Sequence, residues 1–453
     1  MSTITDARRT ARSMLRRLVA LSGVERLLIS LAALVLAIFV GAGLILVSGR
    51  ITTCSQAAAV YFGTGFCYDP TEVFFVLFNG AFGNPLNPKL LTGPLVNPSW
   101  NPLHGPVTFS GPLVTKALFT AQWNPLNFSA ALTLKETTLL VFTGLSVAVA
   151  FRAGLFNIGT QGQLVIGGLV TALVVGILVP VVPGGFAGSI LLIPVGTLAG
   201  AAAGGLYAAI PGALKAYADA NEVITTIMLN FIAAKLAYVA VSEFFKNPDS
   251  QVIETAPLPD YATLGSVVFP QGSDFSILSL LFALLLVIGI WYLIERTSYG
   301  FDLRTSGIQP EAAEYGGVDA KRTVVTSMML SGALGGIGGA MWVLMVMGKW
   351  QSGVPSLGFD GITVSILAGN NPLGAIPAAL LFGTLKSGSL AVQFNTGVPK
   401  QLVGVLRGLI ILFVAMPEFF RAIGTNIVDL EEPDQKAVAT DGGRSVSTEG
   451  GDE

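Results

Sequence analysis

Of 453 residues, 52% are hydrophobic and only 11% charged, with a mean hydropathy of +0.70, whereas soluble domains carry about 25% charged residues. Such a chain is an all-α, polytopic helical membrane protein. Its formal net charge of −2, with basic residues dispersed at the ends of apolar runs, offers no surface to nucleic acid. There is no Walker A pattern, since "GKW" at Gly348 lacks both the upstream glycine and a Ser/Thr after Lys349. HExxH, CxxC and GxSxG are absent as well, and the single histidine, His104, falls in a Pro/Asn-rich segment. An enzyme is not expected, nor a metal site or a cofactor held by this chain.

Residues 1–26 hold Arg8, Arg9, Arg12, Arg16, Arg17 and Arg26, which the positive-inside bias puts in the cytoplasm. A first transmembrane helix is expected over 27–48, where "LLISLAALVLAIFVGAGLILV" supplies about the 20 apolar residues a span needs. A signal peptide has a shorter apolar core of about 7–15 residues. Cys54 and Cys67 follow on the opposite side of the membrane, where a disulfide between them and two free thiols are both open readings.

Residues 49–133 read as an extracytoplasmic insertion rich in Asn, Pro and Gly, with aromatic pieces from Val73 and Ala117 that either lie along the interface or pack within the loop. Apolar runs then fall near 137–151, 164–182, 186–210, 223–244, 276–294, 323–347, 359–369, 373–392 and 401–416, giving nine or ten spans with the first. The run at 359–369 is too short to cross alone unless it is buried in protein or continues through its flanks. Alternating sides places Arg152, Lys215, the stretch 296–322 and both termini in the cytoplasm, and 245–275 and 348–358 outside. The segment 418–453 is an acidic tail expected to be disordered.

Polar residues at the ends of spans are the candidate lining of a translocation pathway. "GLFNIGTQGQLVIGG" holds Asn157, Thr160, Gln161 and Gln163; "NEVITTIMLNF" holds Asn221, Glu222 and Asn230; "GFDGITVSILAGNNPLGA" holds Asp360, Asn370 and Asn371. Neutral amides suit an uncharged polar solute, but they also bind helices to each other, and both readings stand. "SGALGGIGGAMW" precedes the third stretch much as "TGLSVAVAFRAG" precedes the first, a trace of two related halves that glycine-rich packing also imitates. Lys235, Lys386 and Arg407 lie near membrane depth; the two lysines are long enough to snorkel outward, whereas Arg407 is expected to face protein or water.

Between two apolar runs stands a polar island, "RTSGIQPEAAEYGGVDAKR". Pro310 suits the first position of a helix, Glu311 and Glu314 favour its positive end, and Gly316 and Gly317 supply a stop, which predicts a two-turn helix. At helical spacing Ala312 and Tyr315 share one face and the two glutamates another.

These stretches, in order over about 134–417, resemble the inner-membrane permeases of ABC importers for nucleosides and simple sugars, within a superfamily that includes ribose-type and branched-chain amino-acid permeases. The resemblance implies a permease domain over 134–417, a second permease subunit, either a homologue or a second copy, an ABC ATPase subunit carrying ATP and Mg, an extracytoplasmic substrate-binding protein and a cell-membrane location. It also implies that, within a cytoplasmic loop at 296–322, Gly307, Pro310, Glu311, Ala312, Ala313, Glu314, Tyr315, Gly316 and Gly317 belong to a coupling segment that docks on the ATPase. The insertion at 83–128 and the acidic tail depart from the pattern. An ion-coupled secondary transporter of a small polar solute is the alternative, and it lacks the ladder of membrane carboxylates that coupling usually uses.

Overall fold

The computed structural model describes residues 23–413, apart from 55–56, 62, 84–125, 271 and 400. The basic segment before residue 23, most of the expected insertion with His104 and the aromatic piece from Ala117, and the acidic tail all lie outside the described residues.

Two compact units divide the chain, one of residues 1–70 and 404–453 and the other of 71–403. In the first, α1 (Gly23–Ile51) runs 29 residues, a length of about 43 Å at 1.5 Å per residue. A two-stranded hairpin follows, β1 (Ala59–Tyr61) antiparallel to β2 (Thr64–Phe66). The hairpin is tied to the end of α1 in two ways: Cys67 N–H donates to Gly49 O at 3.0 Å, and Cys54 and Cys67 form a disulfide with Cα atoms 5.7 Å apart.

The second unit opens with most of α2 (Pro70–Phe82). The aromatic piece from Val73 is therefore helical. It meets the later helix α12 (Ala375–Asn395) through paired glycines, with Gly80 against Ala391 and Gly388 against Leu77. Next comes α3 (Phe128–Arg152), whose N-cap Asn127 accepts from Ala130 N–H at 2.8 Å. That cap starts the helix at Phe128, well before the apolar run expected from 137, because Thr133, Lys135, Glu136, Thr137 and Thr138 interrupt the hydropathy but not the helix. The order continues with α4 (Thr160–Leu178), α5 (Phe186–Ala218), α6 (Glu222–Ala240, prolonged by a π turn at Val241–Phe245), α7 (Ile277–Arg296), α8 (Ser298–Ile308), α9 (Pro310–Tyr315) and α10 (Ala320–Met341, prolonged by a π turn at Trp342–Met347). Then come α11 (Leu357–Leu367), α12 and α13 (Gln401–Phe413). Among the described residues seven of these helices are long and apolar enough to cross a membrane.

The core is the antiparallel crossing of α3 and α10, buried over 78% and 72% of their apolar windows, against 22% and 28% for the peripheral α6 and α7. One packing pattern appears twice about this crossing. Helix α10 lies parallel to α4 and against α5; helix α3 lies parallel to α11 and against α12. Glycines allow the close approach. A Cβ on Gly336 would strike Gly200 O, one on Gly339 would strike Leu164 O, and one on Gly361 would come within 2.7 Å of the Thr143 backbone. With no hydrophobic drive between helices in lipid, contact of this kind and interhelical hydrogen bonds supply the attraction. The short α11 packs one face against α3 in this way, with Phe359 and Ile366 exposed on the other.

Beyond α6 the loop 246–276 is stitched to the segment after α10. Leu258 N–H donates to Gly348 O (2.8 Å), Thr255 N–H to Trp350 O (2.9 Å) and Ser352 N–H to Ile253 O (2.9 Å). Glu254 is buried there, 2.8 Å from Lys349 Nζ, and the Lys349 ammonium holds its carboxyl below the usual glutamate range.

Two outcomes are expected. Gly336→Leu should destabilise the protein by roughly 3 kcal/mol, read as a lowered Tm in detergent, while Gly289→Ala, where nothing lies within 4 Å of an added Cβ, should leave Tm within about 2 °C. Because the Glu254 pKa is depressed on folding, its contribution is complete above the unfolded value of about 4.3 and disappears as pH falls through the folded value. Glu254→Gln should therefore lower stability at neutral pH and flatten the acid limb of a stability-versus-pH curve.

Candidate functional site

The polar island forms a bracket at the basic end of the helices. Thr297 caps α8 by accepting from Gly300 N–H at 3.2 Å, a start signal that the sequence reading passed over. At Gln309 the backbone turns extended (φ −152°, ψ 95°), and Pro310 opens α9 with no side-chain cap, so the short helix depends on its ring for a fixed φ. Gly317 takes φ +84°, which lets Val318 N–H reach back to Ala313 O at 3.0 Å and close the helix in a Schellman turn. Asp319 then caps α10, accepting from Arg322 N–H at 2.9 Å.

Glu311, Ala312, Glu314, Tyr315, Gly316 and Gly317 are exposed, and Tyr315 is 96% exposed. The inward residue is Ala313, at 1% exposure. This corrects the expected amphipathic face of Ala312 with Tyr315: a helix of six residues touches the protein along one line, and Ala313 occupies it. Gly307 has a different task. A Cβ there would come within 2.6 Å of Ala153 C, and one on Gly154 would strike Gly307 O, so backbone meets backbone between α8 and the end of α3.

The amides lie elsewhere, at the α3–α10 crossing. Asn157 and Gln163 exchange two hydrogen bonds of 3.0 Å each, and Asn157 Nδ2 also donates to Ser331 Oγ at 2.7 Å. Ser146 and Ser331 donate to each other's carbonyl oxygens at 2.7 Å, with Thr160 Oγ1 3.2 Å from Ser146 Oγ. Gln161 joins the starts of α4 and α11, accepting from Gly358 N–H (2.8 Å) and donating to Pro355 O (2.9 Å). Asn230 of α6 accepts from Gly162 N–H (2.8 Å) and donates to Ile158 O (2.9 Å). In this conformation these buried amides bind protein.

The remaining polar candidates are dispersed. Asn221 is the exposed N-cap of α6, Glu222 pairs with Lys215 at 3.5 Å, Asn371 accepts from Leu373 N–H, and Asn370, at φ +55°, offers its carbonyl to Arg152 Nε at 2.9 Å. Asp360 does meet a charge, because Lys386 Nζ lies 3.2 Å from its Oδ2 and 3.0 Å from Glu136 Oε2. Lys386 therefore does not snorkel as expected; two carboxylates hold it among α3, α11 and α12, the Glu136 contact being an ion pair without hydrogen-bond alignment. Lys235 is exposed on α6 and Arg407 half-buried on α13. Sequence reasoning missed Ser146, Ser331 and Glu136. For Glu136 a signal was present, a lone carboxylate inside a membrane helix.

Among the described residues no group of His, Cys, Asp and Glu is arranged to hold a metal ion. The geometry is that of a helical membrane core with an exposed polar bracket at one end. The chain is 38% identical over 288 residues to the guanosine ABC transporter permease protein NupP of Bacillus subtilis, covering 62% of this chain and 80% of that one. It is 34% identical to the nucleoside ABC transporter permease protein NupB of Lactococcus lactis, over 63% of this chain and 78% of that one. It is also 30% identical to the glucose ABC transporter permease protein TsgB13 of Haloferax volcanii, over 67% and 80% respectively. No solved structure matches it. Residues 129–415 match the family described as branched-chain amino acid transport system / permease component, and the chain belongs to that family.

Proposed function

We propose that this chain is the transmembrane permease subunit of an ABC importer in the cell membrane, and that it carries a nucleoside inward by alternating access while a partner ATPase hydrolyses ATP with Mg. The observation that carries the mechanism is the bracket: Tyr315 is 96% exposed at the tip of α9, beside the exposed Glu311 and Glu314, on a chain with no Walker A pattern of its own. A short rigid helix bearing one aromatic and two acids suits a groove on a soluble partner. Nucleoside is favoured over sugar because the guanosine and nucleoside relatives are 38% and 34% identical and the glucose relative 30%.

The bracket and both termini face the cytoplasm in this reading. Arg152, Arg296, Arg304, Lys321 and Arg322 cluster at that end of the helices, and the Cys54–Cys67 disulfide at the far end of α1 suits an oxidising exterior. A second permease subunit and an extracytoplasmic substrate-binding protein complete the assembly. Because the buried amides hold helices together, solute would pass along surfaces they do not line unless the crossing opens.

Proteoliposomes holding the permease, its partner permease and the ATPase, with the binding protein outside, should accumulate guanosine only with internal ATP and regardless of ionophores. Uptake driven by an ion gradient without ATP would overturn the importer reading, and glucose uptake that guanosine does not compete would move the solute class to sugars. Glu311→Lys with Glu314→Lys should lower uptake at least tenfold with the Tm of the permease unchanged. Full uptake by that variant would remove α9 from the docking surface.

A further inference from the structure

Where α7 ends, one carboxylate joins elements that sequence places far apart. Glu295 Oε2 accepts from Arg304 Nη1 of α8 at 2.8 Å, and Glu295 Oε1 lies 3.3 Å from Arg152 Nη1, on the last residue of α3. Arg152 passes the connection on, since its Nε donates to Asn370 O at 2.9 Å, just beyond α11. Arg304 is itself fixed to its own helix, with Nε donating to Gly300 O at 3.3 Å. Side-chain exposures of 27% for Glu295, 28% for Arg152 and 34% for Arg304 leave the group at the edge of the protein, partly shielded from water.

The balance of charge makes Glu295 the member that cannot be spared. Two guanidiniums share one carboxylate, so without it Arg152 and Arg304 face each other as like charges and the link between α8 and α3 reverses sign. Guanidinium geometry adds direction at Arg304, whose fork donates through Nε to Gly300 O and through Nη1 to Glu295 and so fixes its plane relative to both, whereas Arg152 meets Glu295 as an ion pair. The backbone contact of Gly307 with Ala153 and Gly154 lies on the same side of α8 and permits no side chain between them. A push on α9 therefore reaches α3 through a steric stop, and a pull reaches it through the charge pair. Through Arg152 the charge pair also reaches Asn370 O, just beyond α11.

We propose that Glu295 is a positioning residue for energy coupling: it relays displacement of the α8–α9 bracket to α3 through Arg152, and from Arg152 to the end of the short helix α11. The inference rests on the reading of α9 as the ATPase docking element. Both oxygens of the Glu295 carboxylate are engaged by Arg152 and Arg304, so its loss uncouples movement from hydrolysis and leaves docking intact.

The test uses the assembled complex and needs no knowledge of the solute. The only cysteines, Cys54 and Cys67, are joined to each other, so an introduced cysteine is the single free thiol of the chain. A benzophenone maleimide on Ala312→Cys reports contact with the ATPase. A spin label on Leu373→Cys, exposed just after Asn370, reports movement at the end of α11 when the ATPase is trapped with ATP and vanadate. With Glu295→Gln, the cross-link, the trapped nucleotide and basal hydrolysis should be unchanged, while the spectral response to trapping should fall at least fivefold. Arg152→Gln should do the same, and the double variant should be no worse than either single one, as members of one chain of contacts require. A full response in Glu295→Gln, an additive double variant, or no response in the otherwise unaltered chain overturns the relay. Loss of the cross-link together with the response overturns it too, since Glu295 would then only shape the docking segment. Absence of a cross-link from Ala312→Cys alone overturns the docking reading itself.

Discussion

The arrangement depends on the need to pair every polar group where α3 and α10 cross in an apolar medium. Ser146 and Ser331 donate into each other's backbone carbonyls, which happens only when two helices are close enough for a hydroxyl of one to reach the main chain of the other. Gly335, beside Ser146, and Gly338, beside Phe142 and Thr143, make that approach available on α10. An unpaired amide or hydroxyl here has no water to turn to, so Asn157, Gln163 and Thr160 must lie where they complete the set. Each such bond in a membrane is worth about 0.6 kcal/mol, yet as a closed network they specify one register for the crossing.

Once that register is set, the two halves follow. The start of α4 lies beside the start of α11, joined by Gln161, and each of the central helices carries its own pair of neighbours. Movement compatible with this core is tilting of the less buried helices around it, since sliding α3 along α10 breaks the serine exchange. The charged groups lie away from the crossing. Glu295 with its two arginines holds the basic end, and Lys386 with Glu136 and Asp360 holds α12 to α3 and α11.

Local physics made much of this legible in the sequence. Of the nine or ten spans expected from apolar length, seven among the described residues are helices long enough to cross, and Pro310 with Gly317 marked a short helix, since ring geometry and positive φ are properties of single residues. The length of α3 was underestimated because hydropathy drops across Thr133 to Thr138 while helical hydrogen bonding continues. What the sequence withheld are pairings at long range. Ser146 and Ser331 are 185 positions apart, Lys386 is 26 from Asp360, and neither member of such a pair differs locally from a solvated or interfacial residue. The amides show the same limit, because a side chain that holds a helix and one that holds a solute have identical donors and acceptors. Only the geometry of their partners separates the two uses.

The stitched loop on the opposite face has a thermodynamic consequence. Its backbone bonds to residues 348–352 and the Glu254–Lys349 pair hold the surface in one shape before anything meets it. A surface ordered in advance loses little conformational entropy on contact, so affinity there is set by what the side chains touch and not by the work of arranging a loop.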